Sequence, residues 1–179
     1  MKNRIIIAAI AVLGTFSSGI FAASDGDVGT TSTGTTDIQL VVPDLVRISS
    51  LSDIDLGTYS GMGTETGNTE ACIFRNGAGT YSVTATTNKG AFRISRGAGG
   101  TAAEDIDFDA YWNDVTGTTG RAALTYNTAL TTQSGTNTAS ITCGGGTNAN
   151  FSVEIAAADM QTKNPATYSA TVTIVIAPE

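Results

Sequence analysis

From Asp37 onward the chain consists of short runs in which apolar and polar side chains alternate, the period-2 pattern of strands with one buried face. Ile38, Leu40 and Val42 alternate with Gln39 and Val41. Pro43-Asp44 interrupts this run, because proline lacks the ladder donor, and residues 45–48 resume it. Ile54 and Leu56 follow before Gly57. Further strands are predicted over residues 71–75, over Tyr81, Val83 and Ala85, and around Phe92 and Ile94, with Asn76-Gly77 and Asn88-Lys89-Gly90 as turns. Ile106, Phe108, Ala110 and Trp112 share one strand face, and Asp105, Asp107, Asp109 and Tyr111 the other. A weaker signal covers residues 121–126. Residues 139–143 and the set Phe151, Val153, Ile155 read as strands flanking the turn GGGTNAN. The last strand puts Tyr168, Ala170, Val172, Ile174 and Ile176 on one face.

No window downstream of the N-terminal segment sustains a 3.6-residue apolar stripe, although residues 154–163 suit a short helical turn. Many short strands rich in Thr, Val and Gly, with frequent turns, predict an all-β fold, an immunoglobulin-like antiparallel Greek-key sandwich. A closed barrel is the alternative arrangement.

Before the strands lies a different kind of segment. Lys2 and Arg4, an apolar run from Ile5 to Leu13, and small residues up to Ala22 and Ala23 have the order of a secretory signal, cut after Ala22 or Ala23. The run is too short to span a bilayer of about 30 Å, and no later stretch supplies about 20 continuous apolar residues, so no transmembrane segment is expected. Residues 23–36 are small and polar and read as a flexible leader. Residues 37–179 read as one domain, a size that can bury a substantial core.

Charge and residue counts narrow the chemistry. The chain carries 9 basic and 16 acidic residues, a net −7. Removing Lys2 and Arg4 with the signal leaves 7 basic against the same 16 acidic, a net −9. Such acidity argues against nucleic acid, whose phosphates need a basic surface. The chain has no His, which removes the common neutral-pH base, the usual Ser-His and Cys-His arrangements and the commonest metal ligand. Its two Cys residues, Cys72 and Cys143, are expected to form one disulfide in an exported protein.

The remaining candidates read as structure. Asp105, Asp107 and Asp109 lie about 6.5 to 7 Å apart along an extended strand, and alternation with Ile106 and Phe108 accounts for them as its wet side. DIDFDAYWND lacks the mid-loop Gly and terminal Glu of an EF-hand. No metal site, cofactor or catalytic residue is expected, and the protein is read as a non-enzyme. Trp112 has the parity of Ile106 and Phe108 and is assigned to the core, which leaves Tyr111 as the candidate surface aromatic for ligand contact. The runs GAGG and GGGT are turns, since no Lys-Ser/Thr and helix follow them.

The segments DIQLVVPDLVRI (37–48), IDLGTYSG (54–61) and ATYSATVTIVI (166–176) together resemble the pilins of chaperone-usher fimbriae, including the spore-coat-protein-U-like group. The resemblance implies an incomplete sandwich whose groove is filled by an N-terminal strand from the next subunit. Backbone bonds would cap an open sheet edge while alternate side chains fill pockets. On this reading the donor is residues 36–42, presenting Ile38, Leu40 and Val42. The partners are like subunits in a homopolymer, with a periplasmic chaperone and an outer-membrane usher, and the destination is a fimbrium at the cell surface serving adhesion or biofilm. The rival reading pairs this strand within its own domain and makes the protein a self-contained secreted matrix or carbohydrate-binding module.

Overall fold

A computed structural model describes residues 22–97 and 101–179, and among these residues it has ten strands, one α-helical turn and two 3-10 turns. The expected signal segment therefore lies outside the described residues except for Ala22. The chain divides into an N-terminal unit ending at Val42 and a body spanning Pro43–Glu179. In the N-terminal unit Ser24 and Thr35 pair antiparallel, with two backbone hydrogen bonds of 3.0 Å.

In the body the elements are β1 (Val46–Ser49), β2 (Glu65–Arg75), β3 (Tyr81–Thr87), β4 (Arg93–Ile94), β5 (Ile106–Asp107), β6 (Asp109–Asn113), β7 (Ala122–Ala123), β8 (Leu130–Gln133), β9 (Ala149–Ile155), α1 (Ala157–Met160) and β10 (Val172–Pro178). They form an antiparallel sheet in the order β1-β2-β9-β6-β7 and a second in the order β10-β3-β8, with β4 and β5 as a short side ribbon. Neighbours such as β2 and β9 are far apart in sequence, as Greek-key connections require. The fold is the all-β sandwich that the alternation predicts.

The two larger sheets bury their inner faces against each other. Ile73, Phe151 and Trp112 come from one, and Tyr81, Val83 and Ala85 from the other. Trp112 is fully enclosed, and its Nε1–H donates to the Tyr81 hydroxyl across the interior at 3.2 Å. Burial of this kind holds the fold, since truncating a core Trp or Phe to Ala costs about 3–5 kcal/mol.

Several elements depart from the pattern, each for a visible reason. β2 starts at Glu65, six residues before the predicted 71, because β9 pairs with its polar half over Glu65↔Ile155 to Ala71↔Ala149. Residues 106–112 form two strands: β5 pairs with β4, β6 pairs with β9, and the Phe108 N–H turns aside to the Phe92 carbonyl. Residues 139–143 form no strand. The Asn137 carboxamide oxygen accepts from the N–H groups of Ala139 and Ser140, and Cys143, Gly144 and Gly145 all have positive φ, which coils this stretch into turns. β8 has one large apolar residue, Leu130, and gave no signal. Ile54 and Leu56 pack on the core without joining a strand, and the final ladder runs over Val172–Pro178 with Tyr168 and Ala170 outside it.

Candidate functional site

β10 lies at one edge of its sheet, paired only with β3. Its residues alternate, with Val172, Ile174 and Ile176 turned inward and Thr173, Val175 and Ala177 outward. The inward set is only half-buried, whereas Val83 and Ala85, opposite Ile176 and Ile174, are fully buried. An edge strand hydrogen-bonded on one side only shows this difference, although β1 approaches β10 closely without pairing with it. The edge also has no charged side chain between Val172 and Pro178, although natural sheets commonly blunt free edges with charges or bulges.

Beside this edge is an apolar groove of about 330 Å³, within the range of pockets that enclose a ligand or peptide side chains. Its floor is Phe108, Phe151, Val153 and Ile155, and one wall is Ala170 to Ile174. The opposite wall is the segment from Leu51 to Leu56. This strap is irregular, and no backbone–backbone hydrogen bond joins residues 51–64 to either sheet. It is held by side chains: the Ser52 N–H donates to Thr69 Oγ1 at 2.9 Å, and Ile54 and Leu56 pack on the core.

Residues 36–45 belong to no strand. Ile38, Leu40 and Val42 are 92, 83 and 66% exposed, so the alternate apolar face predicted for them is not covered. Val41, on the other side of the alternation, is also open to water, so the run 38–42 exposes four large apolar side chains. The chain thus holds both an uncovered alternating segment and an uncapped sheet edge with an apolar groove beside it.

The other sequence candidates are dispersed. Cys72 and Cys143 form a disulfide that ties the β8–β9 connection to β2 next to its pairing with β1. Tyr111 is half-buried, and the Arg121 guanidinium covers its ring at 3.9 Å while bonding Ser152 at 3.0 Å and Glu154 at 2.5 Å. One face of its ring is therefore occupied. Asp105 and Asp107 face Arg93, at 3.8 and 3.5 Å, and Asp114 accepts from the Ser134 N–H and hydroxyl, which lowers its pKa against the opposing effect of burial. Among the described residues, no group of three or more Cys, Asp or Glu converges as a metal site would need. The groove's strap wall was missed as a site from sequence, because Ile54 and Leu56 read as an ordinary strand.

No family model and no curated protein matches the chain. Among solved structures, the chain resembles one from a chaperone–tip adhesin complex described as vital for synergistic activation of CFA/I fimbriae biogenesis. The TM-score is 0.53 at 13% identity, over 75% of this chain and 42% of that one. The chain thus spans under half the length of this neighbour, and the likeness at this identity is one of fold.

Proposed function

We propose that the protein is an exported structural or adhesive surface subunit that assembles by β-augmentation. Residues 36–42 of one copy enter the groove of the next, pair with the β10 edge and insert Ile38, Leu40 and Val42 between the strap and β10. The observation that carries this reading is the coexistence, in one chain, of an exposed alternating apolar segment and an uncharged open edge flanking an apolar groove. The fold shared with a chain from a fimbrial complex and the disulfide, which suits an oxidising compartment, support it further.

The magnitudes are adequate. Burying three aliphatic side chains contributes about 1.5–3 kcal/mol each. Each new backbone bond adds about 0.5–1.5 kcal/mol, against an association cost of at least about 4 kcal/mol. On this reading the chain acts with like subunits, and with a chaperone that shields the groove and an outer-membrane usher during export. It is a binding and building protein and not an enzyme.

The test is to run protein recovered from the cell surface on denaturing gels with and without boiling, beside negative-stain microscopy of the unboiled sample. A heat-sensitive ladder with thin fibres is expected. A single monomer band with compact particles would instead favour a self-contained secreted module.

A further inference from the structure

Gly67 lies inside β2, paired with Val153 on the inward face beneath the strap. Its φ is not in the left-handed region, so the backbone there accepts any L-residue, and a glycine within a strand weakens it by roughly 0.5–1 kcal/mol relative to Ala. A strand glycine with no conformational reason points to close approach by another group. That group is the strap. A Cβ built at residue 67 would lie 2.4 Å from Ile54 Cγ2 and 2.7 Å from Leu56 Cδ2. The two side chains occupy the volume that any other residue would fill. Leu56 Cδ2 is the far end of a flexible side chain, but Ile54 Cγ2 is carried on a branched Cβ with few rotamers and moves only by leaving its preferred one. A methyl group at 67 must therefore lift the strap or turn Ile54 aside. No backbone ladder holds residues 51–64 against that push.

We propose that Gly67 is a positioning residue for the acceptor groove: the missing side chain seats Ile54 and Leu56 against β2 and so sets the strap as the second wall facing Val172 and Ile174. The inference rests on the reading of the groove as the acceptor of a neighbouring copy's N-terminal segment. It adds that acceptance depends on a steric notch well outside the donor. Floor residues stay in place when the notch is filled, and the width between the two walls changes.

The experiment uses the full-length chain, refolded from denaturant with an excess of a fluorescent synthetic peptide spanning residues 34–44, and reads binding by anisotropy. Wild-type chain is expected to bind the peptide. Gly67→Ala is expected to keep the disulfide and the thermal transition and to bind about tenfold more weakly or worse. Ile54→Ala added to Gly67→Ala removes the clashing methyl and is expected to return affinity to within about threefold of wild type. Should Gly67→Ala fold poorly, the pair Ile54→Ala and Leu56→Ala removes the wall with no added bulk and is expected to show the same weakening. Binding by Gly67→Ala, or by that wall-less pair, equal to wild type would overturn the positioning role while leaving the groove reading intact. No binding by the wild-type chain would overturn the groove reading itself, and this inference with it.

Discussion

Arg75 grips Asp44 with two bonds, Nε to Oδ1 at 3.1 Å and Nη2 to Oδ2 at 2.5 Å, at the point where the body of the protein begins. The same guanidinium donates to the carbonyls of Thr80 and Glu179, so one nearly enclosed side chain joins the approach to β1, the β2–β3 turn and the residue after β10. The bonds to Arg75 hold the Asp44 carboxyl below its ordinary pKa, against a smaller opposing effect of desolvation. The pKa of Glu104 is lowered by the Thr101 backbone N–H, and that of Asp114 by Ser134. A carboxylate whose pKa is lower folded than unfolded contributes stability above its unfolded value near 4, and loses it as pH falls through the folded value. Stability should therefore be flat from neutral pH down to about 5 and then decline below about 4. Urea midpoints across that range, repeated with Asp44→Asn, check the assignment. The variant should start lower and show a shallower decline, and an unchanged acid slope would remove Asp44 from the account.

The sandwich was legible because its core strands obey one rule. In Tyr81–Val83–Ala85 and Phe151–Val153–Ile155 the inward side chain is apolar and the outward one polar or small, and both sets proved buried. Legibility fails where pairing or turns, and not burial, choose the structure. The polar half of β2 is a strand because β9 offers it a ladder, and its Thr66, Asn68 and Glu70 give no apolar signal. Residues 139–143 look like a strand by Ile141, yet that side chain is 53% exposed and the backbone turns under the Asn137 carboxamide. The N-terminal alternation of Ile38, Leu40 and Val42 was visible, but no single sequence states whether a face that can be buried is buried in its own chain. The second groove wall was invisible because it depends on a contact across sequence, Gly67 beneath Ile54.

Asn148 stands in for a strand residue at the end of β2. Its Oδ1 accepts from the Ile73 N–H at 2.7 Å, and its Nδ2 donates to the carbonyls of Ile73 and Gly135 at 2.9 and 2.7 Å. Ile73 is fully buried, so Asn148→Ala leaves its N–H without a partner, while its carbonyl keeps the Asn137 N–H at 2.8 Å, and the change should destabilise by about 1–3 kcal/mol. Asn148→Asp keeps an acceptor but loses both donated bonds, and should also destabilise. Amide exchange at Ile73 gives a local readout. Protection there should fall more than at Val83, and a uniform small change would show that water replaces the carboxamide.

The Cys72–Cys143 bond closes a loop with a sequence separation of 71, which in the chain-entropy model stabilises the fold by about 4 kcal/mol. The connection it ties down holds only short turns, including the 3-10 turn Cys143–Gly145. Reduction, or Cys72→Ala with Cys143→Ala, should therefore lower the urea midpoint markedly without changing the strand signature in circular dichroism before unfolding. Loss of that signature on reduction in buffer alone would show that the loop is needed to form the sheet as well as to stabilise it.

The N-terminal segment gives the sharpest separation between stability and assembly. Ile38 and Leu40 are almost wholly exposed, and surface substitutions of that kind ordinarily change stability by no more than about 0.5 kcal/mol. Leu40→Asp should thus leave the melting temperature of the monomer where it was. In an assembled chain the same substitution would place a carboxylate against the groove floor of Phe108, Phe151 and Val153, where an unpaired charge is strongly unfavourable. Assembly from separated monomers, followed by light scattering, should then be lost with Leu40→Asp and nearly retained with Leu40→Ile, which keeps the volume and the apolar character. If Leu40→Asp instead lowers the melting temperature by several degrees while the protein stays monomeric throughout, the segment is serving its own domain, and the proposal of exchange between copies fails.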